Sequence, residues 1–241
     1  MSTDVDPPLS APAGTPENER ERLAALQALR VLDTPPEPRF DRLTRLAAAL
    51  FDVPTALVSL IDAERQWFKA RHGFEARQTG RREAFCSRAL LLPGRSVLVV
   101  EDAAKDPEFA DNPLVTGEPH VRFYAGALLT TAAGYNLGTL CILDTKPRRF
   151  SDADRALLRE LADLVTEQLE LTTERLAAEE KRRLLEMAES VSHVGHWRRT
   201  ATGETTWSDE VYRIFGLPPQ PAGTSVDTEA VRSAYDPDQR A

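Results

Sequence analysis

Cysteine is scarce in this chain: there are two in 241 residues, and Cys86 and Cys141 stand far apart and outside any C-x-x-C pair. A disulfide framework or a structural zinc site would need more thiols at closer spacing, so neither is expected. Positive charge is also in deficit, with 30 Lys and Arg against 38 Asp and Glu and a formal charge of -8. Contact with many phosphates needs a basic surface, which argues against a nucleic-acid partner. No apolar run approaches a membrane span, and the start M-S-T-D-V-D-P-P-L-S lacks the basic flank and apolar stretch of a signal peptide. The expectation is a cytoplasmic protein with no membrane insertion. Catalytic signatures are missing as well: there is no Gly-rich phosphate loop, H-E-x-x-H, G-x-S-x-G or kinase motif, so no catalytic residues and no enzyme are expected.

What is present is the material of a globular protein, 41% hydrophobic and 28% charged, and long enough for two units. Residues 1–14 carry too few apolar groups to offset the entropy of ordering and read as a disordered tail. Thr15 and Pro16 suit a helix start. Leu23, Leu26, Leu29 and Leu32 then predict a helix running to Pro35-Pro36, and Phe40, Leu43, Leu46, Ala47 and Leu50 mark a second helix that ends before Pro54. T-A-L-V-S-L-I at Thr55 to Ile61 and Q-W-F-K-A-R at Gln66 to Arg71 read as a hairpin. After a polar, Arg-rich loop around Gly80, Glu83 to Leu91 forms a short helix. Val97 to Val100, Val121 to Leu129 and Asn136 to Asp144 complete a sheet. This order predicts an α+β domain in which helices pack on an antiparallel sheet of five to six strands.

Between Val100 and Val121 lie about twenty residues broken by Pro107, Pro113, Gly117 and Pro119, and a loop of that length usually folds over something. It covers either a ligand or its own packed Phe109, Leu114 and Val115. Trp67, Phe85, Cys86, Phe123 and Tyr124 are the candidates to line a pocket beneath it, though strand aromatics are more often plain core. Cys86 and Cys141 would serve a thiol oxidoreductase only if exposed and reactive, and the neighbours of Cys86 point instead to an inward face. Asp62, Asp102 and Asp144 each follow an apolar strand, where turn formation explains them without a metal. His193 and His196 are spaced i, i+3, but a metal would need further ligands from His72 and His120, so no metal site is expected.

Ser151 or Asp152 caps a helix predicted to continue to about Ser190. Leu157, Leu161, Leu164, Gln168, Leu171, Arg175, Ala178, Arg182 and Leu185 follow four-three spacing. The first half of that seam, Leu157, Leu161, Leu164 and Leu171, either packs on the sheet or forms a dimer seam, and residues 172–190 read as a parallel coiled-coil connector. Beyond it, His196 to Arg199 and Thr205 to Ser208 pair as strands, with a short helix ending at Gly216. Residues 191–241 hold too few apolar groups for an independent core and read as a domain cut part-way.

In order, R-L-A-A-L-Q-A-L-R-V-L-D-T-P-P-E, F-D-R-L-T-R-L-A-A, S-L-I-D-A-E-R-Q-W-F-K-A, E-A-F-C-S-R-A-L, D-P-E-F-A-D-N-P-L-V-T-G and G-T-L-C-I-L-D resemble a GAF domain at the N-terminus of a bacterial signalling protein, over residues 15–171. H-V-G-H-W with T-G-E-T-T-W-S-D-E-V-Y-R-I-F-G-L resembles the opening strands and first helix of a PAS domain, and D-P-D-Q-R further on resembles the proline-aspartate segment midway through one. The resemblance implies a sensory module that binds a small molecule or only dimerises. Such a module passes a change through its terminal helices to a histidine kinase or diguanylate cyclase in the same polypeptide. Cys86 is followed by Ser87 rather than histidine, so the resemblance does not extend to a covalent bilin, and no cofactor is required. The Asn-Lys-Phe-Asp-Glu signature of cyclic-nucleotide-binding members is missing, and F-Y-A-G is followed by Ala127, Leu128 and Leu129 where the family has A-P-L. Ser192-His193 lacks the acidic residue and nearby proline of a phosphoacceptor histidine.

Overall fold

The computed structural model describes residues 16–93, 96–221 and 224–226. The expected N-terminal tail, the Thr15 cap and the D-P-D-Q-R stretch lie outside the described residues. Two compact units divide at Glu174 and Arg175.

The first unit contains α1 (Glu19–Ala28), α2 (Pro38–Leu50), β1 (Thr55–Ile61), β2 (Arg65–His72), β3 (Gln78–Gly80), α3 (Phe85–Ala89), β4 (Val97–Val100), α4 (Pro113–Thr116), β5 (Phe123–Thr130), β6 (Asn136–Asp144) and the first half of α5 (Asp152–Ser192). Six strands form one sheet in the order β3-β2-β1-β6-β5-β4, and every neighbouring pair is antiparallel. β1 and β6 are the central strands and are buried on both faces, so they read as continuous apolar runs rather than alternating ones.

Each face has its own core. On one, Leu26 of α1, Phe40 and Ala47 of α2 and Leu158, Val165 and Leu169 of α5 pack on Val58, Leu60, Ala125 and Leu140. On the other, Phe85 and Leu90 around α3 and Phe109, Val115 and Val121 of the long loop pack on Leu57, Tyr124 and Cys141. The loop is folded rather than loose. Asn112 caps α4 by accepting from Leu114 N–H at 2.9 Å and donates to the Glu83 carbonyl at 2.9 Å, while Ala103 N–H reaches the Arg122 carbonyl.

Several elements differ from the sequence expectation. α1 starts at Glu19 and ends at Ala28, because Arg30 and Asp33 take left-handed backbone and turn the chain so that Leu29 and Val31 enter the helical core. The Arg-rich stretch around Gly80 contains β3, an edge strand pairing Gln66 with Thr79, and three residues are too few to show an alternation. At the start of α5, Ser151 Oγ accepts from Asp154 N–H while the Asp154 carboxylate takes Ser151 N–H at 3.0 Å, a reciprocal cap.

The seam on α5 is split. At about 100° per residue, Leu158, Ala162, Val165 and Leu169 form one face, and all are buried. Leu157, Leu164 and Leu171 lie about 130° away from it and are 39%, 47% and 55% exposed. Leu161 falls between the two and is buried in the domain's own core, which removes it from an outward seam.

In the second unit, β7 (Trp197–Arg199) and β8 (Thr205–Trp207) pair with Trp197 opposite Trp207, as expected across A-T-G-E, and α6 (Asp209–Ile214) follows. Trp207 stacks on Phe215 with ring centroids 5.0 Å apart.

Candidate functional site

Beneath the loop, six elements bring polar side chains into an otherwise apolar layer. Strand alternation sets the membership. In β1, Leu57, Ser59 and Ile61 face the loop and Val58 and Leu60 face the helices; in β5, Tyr124 and Leu128 face the loop and Phe123 and Ala125 face the helices. Ser59 of β1 sits opposite Thr139 of β6, and Cys141 of β6 lies between Leu57 and Gly126. Gln66 of β2 donates to Ser59 Oγ at 2.6 Å and to Cys86 Sγ at 3.0 Å, while its carbonyl accepts from Thr79 of β3 at 3.2 Å. Tyr124 O–H donates to Cys86 Sγ at 3.3 Å and lies 3.5 Å from Thr139 Oγ1. The sulfurs of Cys86 and Cys141 are 3.7 Å apart, and both residues are buried.

Gly126 makes this possible. A Cβ there would lie 2.1 Å from the Tyr124 hydroxyl, so only glycine lets that ring fold along β5 toward Cys86. Gly138 does the equivalent for the backbone, since a Cβ would meet the Ser59 carbonyl at 1.9 Å.

Burial pushes the Cys86 thiol up, but neutral donors from Cys141, Thr139, Tyr124 and Ser59 outweigh it and bring its pKa to about 6. Cys141 is moved the other way, well above its ordinary range, by burial and by the neighbouring Cys86. Burial and the two cysteines likewise raise Tyr124. The two thiols titrate as a pair, with hydrogen bonds drawing Cys86 down while burial and Cys86 itself push Cys141 up.

The space beside these groups is small. Gln66, Cys86, Tyr124, Cys141, Leu114 and Val121 contribute to the lining of a cavity of about 30 Å³. Ligand pockets typically run to roughly 300–1,000 Å³, whereas one water needs about 10–15 Å³. Phe85 occupies the rest of the space, stacked between Phe109 at 4.3 Å and Tyr124 at 5.1 Å. Among the described residues, every buried side-chain nitrogen and oxygen has a hydrogen-bond partner.

Of the five pocket candidates, the fold brings together Phe85, Cys86 and Tyr124 and sends Trp67 and Phe123 to the helical face. The reason is the two-residue period: Trp67 and Phe68, like Phe123 and Tyr124, are adjacent and so point to opposite faces. Cys141, named in the sequence only as a possible reactive thiol beside Cys86, joins the site, and Gln66, Ser59 and Thr139 are members missed in the sequence. Alternation from Tyr124 across the sheet was the signal that could have found them.

The helical face carries a second feature missed in the sequence. β2 bulges at Lys69, since Phe68 pairs with Ser59 and Ala70 with Val58, leaving Lys69 without a register partner on β1. Its buried ammonium bonds Glu37 at 2.5 Å, Thr34 Oγ1 at 2.6 Å and the Pro35 carbonyl at 3.3 Å, and lies 5.4 Å from the Phe40 ring centroid. These bonds fasten the α1–α2 connection to the sheet. Burial tends to raise the Glu37 pKa, but bonds from Lys69 and Arg39 hold it below the ordinary value.

Asp62, Asp102 and Asp144 stand in separate turns. Asp62 accepts from Ala63 N–H, Asp102 pairs with Lys105 at 2.9 Å and Asp144 with Arg148 at 2.6 Å. His193 meets Glu210 at 3.2 Å and His196 meets Glu189 at 2.5 Å, while His120 lies 3.8 Å from Glu118. Among the described residues, no group of three His, Cys, Asp or Glu could hold a metal ion, and no helix is long and apolar enough to cross a membrane.

Comparison with known proteins agrees with this architecture. Cyclic di-GMP phosphodiesterase PA2567 of Pseudomonas aeruginosa is 46% identical over 151 residues, 62% of this chain and 25% of that protein, so the chain spans about a quarter of the curated relative. Similar solved structures include free methionine-R-sulfoxide reductase of Neisseria meningitidis in complex with its substrate, at 16% identity over 65% of this chain and 90% of that one, TM-score 0.48. Another is the blue-light absorbing form of the PixJ GAF domain of Thermosynechococcus elongatus, at 20% identity over 73% and 98%, TM-score 0.45. The GAF domain family model matches residues 35–169, which takes in α2, the six-stranded sheet and the core half of α5, and the chain belongs to that family.

Proposed function

We propose that residues 16–174 are a regulatory module that pairs with a second copy in parallel through α5 and passes its state along that helix to an effector in the same polypeptide. The observation that carries this is the double use of α5. Leu158 and Val165 are fully buried in the sensory core, while Leu157, Leu164 and Leu171, each seven residues apart, stay exposed on the same helix. Leu185 continues the seven-residue series and is 54% exposed. A single helix that belongs to the core on one face and to a partner on the other couples packing inside the domain to the geometry outside it. The module itself is regulatory rather than catalytic.

The named relative supports an effector that acts on a cyclic dinucleotide, with a histidine kinase or diguanylate cyclase as the alternatives. Residues 191–241, with their hairpin and short helix, fit the opening of a PAS domain interposed on the way. A receptor reading, with a small molecule under loop 102–120, has about 30 Å³ to work with and is not favoured.

Sedimentation over a dilution series tests the assembly. The chain is expected to be a dimer, to become monomeric in Leu157→Glu/Leu164→Glu, and to dissociate more readily without residues 172–190. A strict monomer at every dilution, in the variant and the truncation as in the parent chain, would contradict the reading.

A further inference from the structure

We propose that Cys86 and Cys141 form an oxidisable dithiol, which a small hydroperoxide converts to an internal disulfide joining α3 to β6. Calling that conversion the input signal rests on the regulatory reading above; the disulfide itself does not.

The geometry supplies each requirement. The two sulfurs are 3.7 Å apart, against a bond of about 2.05 Å, so each has to move by under about 1 Å. Cys141 is fixed in a central strand, whereas Cys86 lies in a five-residue helix on the loop side. The adjoining cavity of about 30 Å³ touches both residues and has room for a molecule of one or two heavy atoms, the size of hydrogen peroxide. Around Cys86 the donors are Gln66 Nε2–H and Tyr124 O–H, whose hydrogen bonds stabilise a thiolate against the burial that opposes it. The directions agree, since the Cys86 thiol is drawn down and the Cys141 thiol is pushed up.

The chemistry is two-electron. The Cys86 thiolate attacks one oxygen of hydrogen peroxide; an S–O bond forms, the O–O bond breaks, and the departing hydroxide takes up a proton to leave as water. Cys141 sulfur then attacks the Cys86 sulfenic sulfur. An S–S bond forms, the S–O bond breaks, and hydroxide leaves with the Cys141 proton as a second water. In sum, two thiols and one peroxide give one disulfide and two waters. Cys86 is the attacking thiol and Cys141 the resolving one. Closing the bond replaces the Cys86–Tyr124 and Cys86–Gln66 contacts with a covalent tie between the loop-side layer and the sheet.

The test is intact-mass analysis of the whole chain after hydrogen peroxide in native buffer, followed by denaturation and alkylation. The expected product is monomeric, two hydrogens lighter and unalkylated at both positions, with a Cys86–Cys141 linked peptide that dithiothreitol releases. In Cys141→Ser, Cys86 gains one oxygen and is trapped by dimedone; in Cys86→Ser, Cys141 is unchanged. Full alkylation of both thiols after peroxide, disulfides only between chains, or oxidation no faster than global unfolding would each overturn the proposal. The wild-type result decides even where a variant fails to fold. Sedimentation reads the regulatory assembly separately, so either proposal can fail alone.

Discussion

Tyr124 shows how much a single position decides. Its ring reaches Cys86 because Gly126, two residues on along the same strand, has no side chain in the way. Gly126→Ala is therefore expected to destabilise the domain by about 1–3 kcal/mol through overpacking, read as a lower urea midpoint at unchanged slope. Leu128 is the control on the same strand and face, where a swap to Met conserves volume and should change stability by under about 1.5 kcal/mol. From sequence, Y-A-G-A-L-L reads as a buried strand and nothing more. The reason for the glycine is a contact within the strand, which periodicity does not encode. The same holds for Lys69. A lysine inside Q-W-F-K-A-R reads as an outward polar residue, and the bulge that turns it toward Glu37 becomes visible only with the β1 register in place.

At the scale of elements, the apolar runs of β1, β4, β5 and β6 were legible, because strands covered on both faces have little but apolar residues to show. The end of α1 and the presence of β3 were not, since left-handed Arg30 and a three-residue edge strand leave no periodic trace. The phase of α5 was only half legible. Four-three spacing marked an apolar stripe, but not which of its leucines the sheet would claim. Leu158→Ala is expected to lose about 2–5 kcal/mol of unfolding free energy, the range for a buried leucine. Leu157→Ala should stay within about 0.5 kcal/mol in the dilute monomer. Urea denaturation separates the two.

The helical layer is also fastened by carboxylates, and these set its acid sensitivity. Burial tends to raise the Glu19 pKa, but bonds from Arg22 and Arg81 bring it below the ordinary value, as Lys69 and Arg39 do for Glu37. A depressed native pKa contributes stability that is fully present above the unfolded value, about 4.3, and is lost as pH falls through the native one. The urea midpoint should hold from neutrality to about that pH and fall below it. Glu37→Gln should lower the neutral plateau and flatten the acid limb. An acid limb unchanged by Glu37→Gln would show that other groups carry it.

At the scale of the whole molecule, the long loop, which the sequence left to cover either a ligand or its own packed side chains, contributes to the second core of the domain. Phe109, Val115 and Val121 fill the space that a ligand would need, and what polar chemistry remains is the Gln66, Cys86, Tyr124 and Cys141 group. Little room for a ligand is left beneath the loop, in keeping with the proposed coupling through α5. Cross-linking tests the parallel seam most directly. Leu157→Cys, Leu164→Cys and Leu171→Cys are placed singly in a Cys86→Ala/Cys141→Ala background, with Arg159→Cys as the control on another face of α5. Each leucine position is predicted to give a disulfide-linked dimer with its own counterpart far faster than Arg159→Cys. Linking at the three seam positions no faster than at Arg159→Cys would contradict the account.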